Sequence, residues 1–463
     1  MKRITLASCT LLLTGGLDAQ QEISSSASIL PDGWMETNEI FVQTLPIEDE
    51  WWKTFEDPTL DSLIAIAIGN NYNVEAAIKR MEQAQMNLYI ERGNLLPSIG
   101  INGGWTRQQS SGNTGGSKSW SGQYALSANM NWEIDLRGSI LKRIQAGKEQ
   151  ALMSAEEYNG VMVSLCAQVA TSYFNLRQYQ LELEVLNHNC ESQRSVVVLT
   201  EARNSSGLAS KLDVAQAKQV YYGTLASVPA MEANITQMMN QLAVLLGEIP
   251  QNVLPTLTTP YQLPSHMEMV GVDVPASLLR RRPDIRAAER LVNAQVALLG
   301  ASKREWLPQF FINGSIGYAS DELKKLPRTA SMTWEIAPSM SWTLFNGGQR
   351  YNNVRLNRAK LDETVSQYYQ TVLQAVQEAS NAMNAYSNSI KQIVSTRQAF
   401  NFSEKTLSLS LDLYKQGLTT FQSVLDAQRS LLSYEEALVQ AQAHSLISLV
   451  EMYQALGGGW DIP

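Results

Sequence analysis

At 463 residues the chain is long enough for two or three ordinary domains. Its net charge of −8, with no basic cluster of the kind phosphate binding needs, excludes nucleic acid as a partner. Mean hydropathy is −0.17, and no segment combines the length and apolarity of a transmembrane helix. The nearest stretch, Tyr158 to Leu176, carries Asn159, Ser164, Gln168, Thr171, Ser172 and Asn175, and reads as a packed helix.

The N-terminus reads as an export signal over residues 1–19. Lys2 and Arg3 are its basic region and Ile4 to Thr14 its apolar core, with Leu17-Asp18-Ala19 as a cleavage site before Gln20. Leu6-Ala7-Ser8-Cys9 resembles a lipoprotein box, which makes Cys9 a candidate lipid attachment point, although only five residues separate it from Arg3. The other cysteines, Cys166 and Cys190, are 24 residues apart. On one helix that is ~36 Å at 1.5 Å per residue, too far for a disulfide.

An extended N-terminal segment is expected over 20–59. A helix follows, in which Leu60, Leu63, Ile64, Ala67 and Ile68, then Val74, Ala77, Ile78, Met81, Ala84 and Leu88, keep helical spacing up to a break at Pro97. From Trp120 to Leu136 the period changes to two. Every even position is apolar or Gly, and among the odd positions only Ala125 is apolar. A shorter alternating run, Ile99, Ile101, Gly103 and Trp105, precedes it, so a β-hairpin is read over 98–136. A Pro-free helical pattern then runs from about Ser139 to Arg203. Gly207 marks a tight turn, and a returning helix is interrupted by Pro229. About 65 helical residues would span ~97 Å, the length of a coiled-coil-like bundle rather than of a globular helix.

The chain then repeats this order. Asn73-Val74-Glu75-Ala76-Ala77 lies 211 residues before Asp284-Ile285-Arg286-Ala287-Ala288, and "LLPSIGING" from Leu95 lies 211 before "WLPQFFING" from Trp306. Trp132, Gly138, Gly207 and Leu246-Gly247 each return 210 residues later, as Trp342, Gly348, Gly417 and Leu456-Gly457. A nearly constant offset means that the whole unit is duplicated. Repeat 1 is read over 60–250, a Pro-rich linker over 251–275, and repeat 2 over 276–463. The second repeat holds a helix, a β-hairpin over 309–345, a Pro-free stretch from Gln349 to Leu418, a returning helix and a C-terminal tail.

A 17-residue alternating strand fits either a sandwich strand with one wet face or a membrane-barrel strand, which needs ~9–11 residues to cross. Trp105, Trp120, Trp132, Trp334 and Trp342 suit an aromatic girdle. Four strands cannot close a barrel, and an open edge in lipid leaves backbone groups without partners. The barrel must then be shared between subunits, and two, three or four copies satisfy the arithmetic equally.

"LLRRRPDIRAAE" from Leu278, "DAQRSLLSYEEAL" from Asp426, "YQALGGGW" from Tyr453, "WWKTFEDPTLDSLI" from Trp51 and "SWTLFNGGQR" from Ser341 together resemble the TolC/OprM-type outer-membrane efflux channels. The likeness runs from about Pro31 to Trp460. It implies an α+β membrane protein in which the duplicated unit of long α-helical hairpins and β-hairpins forms a homotrimer. Twelve strands would close an outer-membrane barrel continuous with a periplasmic α-helical tunnel. It implies no catalysis and no cofactor. The implied partners are outer-membrane lipid, a periplasmic membrane-fusion adaptor and an inner-membrane pump, often of the resistance-nodulation-division type.

The same likeness places a periplasmic gate at the hairpin tips, in "GLASKLDVAQAK" from Gly207 and "YKQGLTTFQSVLDAQ" from Tyr414. Asp426 matches a constricting carboxylate. Ser423 stands where TolC has a second Asp, and Gln422 where OprM relatives have Leu. Tyr414 and Asp213 match partners in closed-state contacts, and Thr419 replaces an Arg that clasps the neighbouring subunit. The residues by themselves also fit helix capping, as Ser210-x-x-Asp213 and Thr419-x-x-Gln422. Tyr414 also fits plain packing.

Two rival functions are weaker. An enzyme would need a motif that His188, His266 and His444 do not form, and no GxSxG or phosphate loop is present. A coiled-coil scaffold leaves the four alternating strands without a purpose. The function that the resemblance implies is the exit channel of a tripartite efflux system for drugs or other small toxic compounds. The alternative cargoes are metal ions, hinted at by sixteen Met residues, or a secreted protein.

Overall fold

The computed structural model describes residues 41–42, 50–113, 119–257, 263–264, 270–271 and 281–458. The signal read over 1–19 and Cys9 lie outside them, as does most of the stretch 251–275. In chain order the elements are β1 (Phe41–Val42), a 3-10 turn (Trp51–Phe55), α1 (Pro58–Asn70), α2 (Tyr72–Gly93), β2 (Ser98–Gln109), β3 (Trp120–Ile134), α3 (Ser139–Ser205), α4 (Lys211–Leu225), α5 (Val228–Leu245) and α6 (Pro250–Leu257). After β4 (Val270–Gly271) come α7 (Pro283–Arg304), β5 (Gln309–Ser320), two further short 3-10 turns, β6 (Met332–Ser341), α8 (Gln349–Lys415) and α9 (Phe421–Ala455). The helices α3 and α8 have 67 residues each, ~100 Å of helix.

Two compact units divide the chain, and each draws on both repeats. The first contains residues 79–155 and 287–370 and is built on one antiparallel sheet of order β2-β3-β5-β6. Its register aligns like with like. Gly103, Leu126, Tyr318 and Met332 form one row across the four strands, and Ile101, Ala128, Ile316 and Trp334 form another. The row between them is Asn102, Ser127, Gly317 and Thr333. Since neighbouring residues of a strand point to opposite faces, one face is mainly apolar, with Arg107, Gln109 and Ser320 on it only toward the loop end, and the other mainly polar. The apolar face is bare within the chain: Ile101 is 78% exposed and Trp334 71%. Among the described residues β2 and β6 are the two edges, each with one strand neighbour.

The second unit holds residues 50–78, 156–286 and 371–458 of the described chain. Its core is anchored by Trp51, fully buried and stacked on Tyr453 with ring centroids 5.4 Å apart. Phe55 meets Phe174 edge-on at 5.0 Å. Asp57 caps α1 by accepting from the amides of Thr59 (2.9 Å) and Leu60 (3.4 Å), with Pro58 in the first helical turn where a missing N–H costs nothing. The Tyr173 hydroxyl donates to the other Asp57 oxygen at 2.5 Å, and the Arg177 guanidinium lies 5.0 Å over the Tyr173 ring. Burial, and then the bond to Asp57, push the Tyr173 phenol well above its ordinary range against the opposing charge of Arg177. Cys166 and Cys190 lie buried on α3, and burial pushes Cys166 up to about 12.

Three local expectations are corrected. The segment 20–59, read as extended, ends in a 3-10 turn and the first helical residues, because Asp57 and Pro58 start α1 ahead of the apolar stripe. That stripe is two helices, split at the extended residue Asn71. The Pro-rich stretch from 251 is helical to Leu257, because Pro250 opens a helix as readily as it closes one. The carbonyl of Leu257 is taken by Arg177 at 3.3 Å and Gln180 at 2.8 Å. The interruption at Pro229 falls between α4 and α5, with Pro229 in the first turn of α5.

The duplication is visible in bonding. Gly247 (φ +68°) closes α5 against Asn70, whose carbonyl oxygen a Cβ on Gly247 would meet at 2.3 Å. Gly457 (φ +78°) closes α9 in the same way against Arg281 and Arg282, which a Cβ there would meet at 3.1 Å. The Asn71 amide donates to the Leu245 carbonyl at 2.7 Å and accepts from the backbone N–H of Asn73 at 2.8 Å, so one side chain caps two helices. In the second copy Arg282 stands at that place and donates to the Ala455 carbonyl at 2.9 Å. A guanidinium cannot accept, so the acceptor role passes to Asp284, which takes the Ile285 N–H at 2.9 Å. Arg282 also pairs with Asp284 and with Glu378, both at 2.7 Å. The equivalents of these three in the first copy, Asn71, Asn73 and Gln168, are all neutral.

Candidate functional site

The two tip turns belong to the second unit and are built alike. At the end of α3 the Leu208 N–H reaches the Arg203 carbonyl (2.8 Å) and the Gly207 N–H that of Asn204 (3.0 Å). At the end of α8 Leu418 reaches Leu413 (2.9 Å) and Gly417 reaches Tyr414 (3.0 Å). This closure needs a left-handed residue just past the helix, supplied by Gly207 (φ +71°) and Gly417 (φ +75°). Behind the turns lies a core of Val196, Ala217, Leu407, Tyr414, Phe421, Val424, Leu425 and Ala427.

The returning helices start differently. Ser210 and Asp213 form a reciprocal capping box: the Asp213 N–H donates to Ser210 Oγ at 3.1 Å, and the Ser210 N–H donates to Asp213 Oδ2 at 3.2 Å. The Ser210 hydroxyl also donates to Asp213 Oδ1 at 2.9 Å. Losing such a cap costs about 1 kcal/mol. In the second copy no box forms. Thr420 is the N-cap of α9 and its side chain makes no cap bond. The capping expected of Thr419 with Gln422 is therefore corrected, since the helix starts one residue later. The Thr419 hydroxyl instead donates to Ser423 Oγ at 3.1 Å. Ser423 is the repeat equivalent of Asp213, so the box is lost where its carboxylate is.

Asp426 is exposed on α9. It accepts from Gln422 Nε2 at 2.8 Å, one turn earlier, and lies 4.0 Å from Arg429. Tyr414 is 5% exposed, with its ring 5.2 Å from Phe421 and its hydroxyl buried. Burial raises its phenol above the usual range. The nearby Asp213 charge raises it further, and Arg203 opposes. The structure thus joins the candidates as Gln422 with Asp426, Thr419 with Ser423, and Tyr414 near Asp213.

It also adds Arg203. This side chain donates from Nη1 to the Lys415 carbonyl at 2.9 Å and sets its guanidinium 4.9 Å over the Tyr414 ring. The only sequence signal for it is a basic residue in the last turn of α3, which any helix favours there.

The sheet offers a second polar surface. Its polar face carries Ser98, Asn129, Asn131, Asn313, Ser315 and Glu335 around a shallow hollow. Glu133, near the end of β3, pairs with Arg137 at 2.9 Å.

Comparison with known proteins matches this arrangement. The Outer membrane efflux protein family matches residues 63–248 and again 274–458, two hits that begin 211 and end 210 residues apart. The solvent efflux pump outer membrane protein SrpC of Pseudomonas putida is 30% identical over 414 residues, covering 88% of this chain and 87% of SrpC. The antibiotic efflux pump outer membrane protein ArpC of Pseudomonas putida is 28% identical over 418 residues, covering 89% of this chain and 86% of ArpC. The solved structure of the outer-membrane channel OprN superposes with a TM-score of 0.87 at 29% identity, covering 93% of this chain and 98% of that one. With both repeats matched in register and the channel fold present, the chain belongs to the outer membrane efflux protein family.

Proposed function

We propose that three copies of this chain close one twelve-stranded barrel and form the exit duct of a tripartite pump. The observation that carries this is the sheet: one face mainly apolar and, among the described residues, two free edges. Free edges cost several kcal/mol per unpaired group in lipid, so they must meet other strands. The apolar rows then face lipid and the polar rows the lumen. The long helices α3 and α8, with α4, α5 and α9 returning, form the periplasmic tunnel. A membrane-fusion adaptor and an inner-membrane pump of the resistance-nodulation-division type complete the path. The cargo is drugs or other small toxic compounds, in keeping with the solvent and antibiotic pumps named for SrpC and ArpC.

The tip turns act as the gate. Asp426, seconded by Gln422 and Ser423, narrows the tunnel on its threefold axis. Tyr414 and Asp213 hold the neighbouring turn, and Thr419 offers no charged clasp between subunits. A ring of ionised carboxylates attracts and holds cations. The test is to supply the chain to a host lacking its own exit duct, together with an adaptor and a resistance-nodulation-division pump. Restored resistance to solvents and antibiotics is expected. Restored resistance to metal ions alone would overturn the cargo.

A further inference from the structure

We infer that Arg203 is the residue that fastens the second tip turn, and that it does so within one chain, through the ring of Tyr414. This rests on the reading of the tip turns as a gate, and it assigns that gate a part whose place at the tip the sequence did not disclose.

Three observations converge on the same few atoms. The Lys415 carbonyl is one of the last carbonyls of α8 and has no partner within that helix. Arg203 supplies one, at 2.9 Å, and brings a positive charge to the negative end of the helix. Next, the guanidinium lies 4.9 Å over the Tyr414 ring, within cation–π range. A planar guanidinium can stack and donate at once, which an ammonium cannot do as well.

Last, the alternative partner is occupied. Both Asp213 oxygens are engaged by Ser210 in the capping box, and the Tyr414 hydroxyl is buried beside them without a bond to that carboxylate. Tyr414 therefore meets the first hairpin with its ring, which lies between Arg203 and Phe421. Thr419 leaves no charge at the neighbouring position, so the staple from the first hairpin to the second carries the restraint.

The test uses the full chain, purified in detergent. Hydrogen exchange of the Gly417 and Leu418 amides, which close the turn, is measured beside single-channel conductance. Arg203→Ala and Tyr414→Leu should each speed exchange at these amides about tenfold, the equivalent of one hydrogen bond with its stacking contact. The double variant should be no faster than either alone, whereas two unrelated packing losses would add. Tyr414→Phe should exchange like the parent. The inference is overturned if Tyr414→Phe loosens the turn as much as Tyr414→Leu, which would make the hydroxyl the fastener. It is overturned too if Arg203→Ala, or Arg203→Gln as a milder change, leaves exchange unaltered. Faster exchange without a rise in conductance would uphold the staple and remove the gate.

Discussion

The indole N–H of Trp132 donates to the carbonyl oxygen of Leu95 at 2.9 Å, and Trp342 makes the equivalent bond to Trp306 at 3.0 Å. The acceptor in each copy stands just before the Leu-Pro that separates helix from strand. A Pro that cannot donate follows shortly after, and the residue before it is steered into extended geometry. The indole from the neighbouring strand ties down a carbonyl that α2 or α7 no longer uses. Trp132→Phe should keep the ring packing and cost about 0.5–1.5 kcal/mol for the lost bond. Trp342→Phe should match it, and the two should add within about 0.5 kcal/mol. Denaturation midpoints of the two single variants and the double variant check this; a strongly non-additive pair would mean that the two handovers are coupled.

The two faces of the sheet should tolerate charge differently. Leu126 lies in an apolar row and Ser127 in a polar one. Leu126→Arg should cost about 2–4 kcal/mol if its row lies near the bilayer midplane. Ser127→Arg, pointing the other way, should assemble normally. Folding yield into lipid vesicles measures both, and equal penalties would show that the facing is wrong.

Among the described residues, the partners of Asp426 are two exposed side chains, Gln422 and Arg429. Asp426→Ala should therefore fold normally and act on the pore alone. Conductance in planar bilayers should rise, and block by a divalent cation on the tip side should disappear. Unchanged conductance and block would return Asp426 to the role of a surface carboxylate.

Tyr173 links stability to pH. Its phenol is raised in the folded state, first by burial and then by the bond to Asp57. Its contribution is fully present below the ordinary tyrosine value of about 10 and is lost as pH rises through the raised folded value. Tyr173→Phe should cost about 1–3 kcal/mol at neutral pH, because an Asp57 oxygen loses its buried partner. The same change should flatten the alkaline limb of the stability curve. Thermal midpoints between neutral pH and the alkaline range measure both effects; an unchanged alkaline slope would contradict the assignment.

The strands and the tip glycines are legible in the sequence because they rest on local rules. Alternation follows from the pleat, and a left-handed residue ends a helix whatever surrounds it. The start of α9 falls one residue later than Thr419-x-x-Gln422 implies, because Thr420 is an equally acceptable cap and Phe421 beside it packs into the tip core. Arg203 was invisible for a different reason. Its partners, Tyr414 and Lys415, lie over 200 residues away, and nothing in a basic residue near a helix end reports them. The split of one Asn71 into Arg282 and Asp284 was hidden likewise, since only the donor and acceptor geometry shows that the job is shared.

The central claim is that the two free edges of the sheet are closed by further copies of the chain. Native mass measurement of the detergent-purified complex tests it most directly. The account predicts three chains, each of at most 51.4 kDa, with no smaller folded species. A stable monomer, a dimer or a tetramer would contradict it.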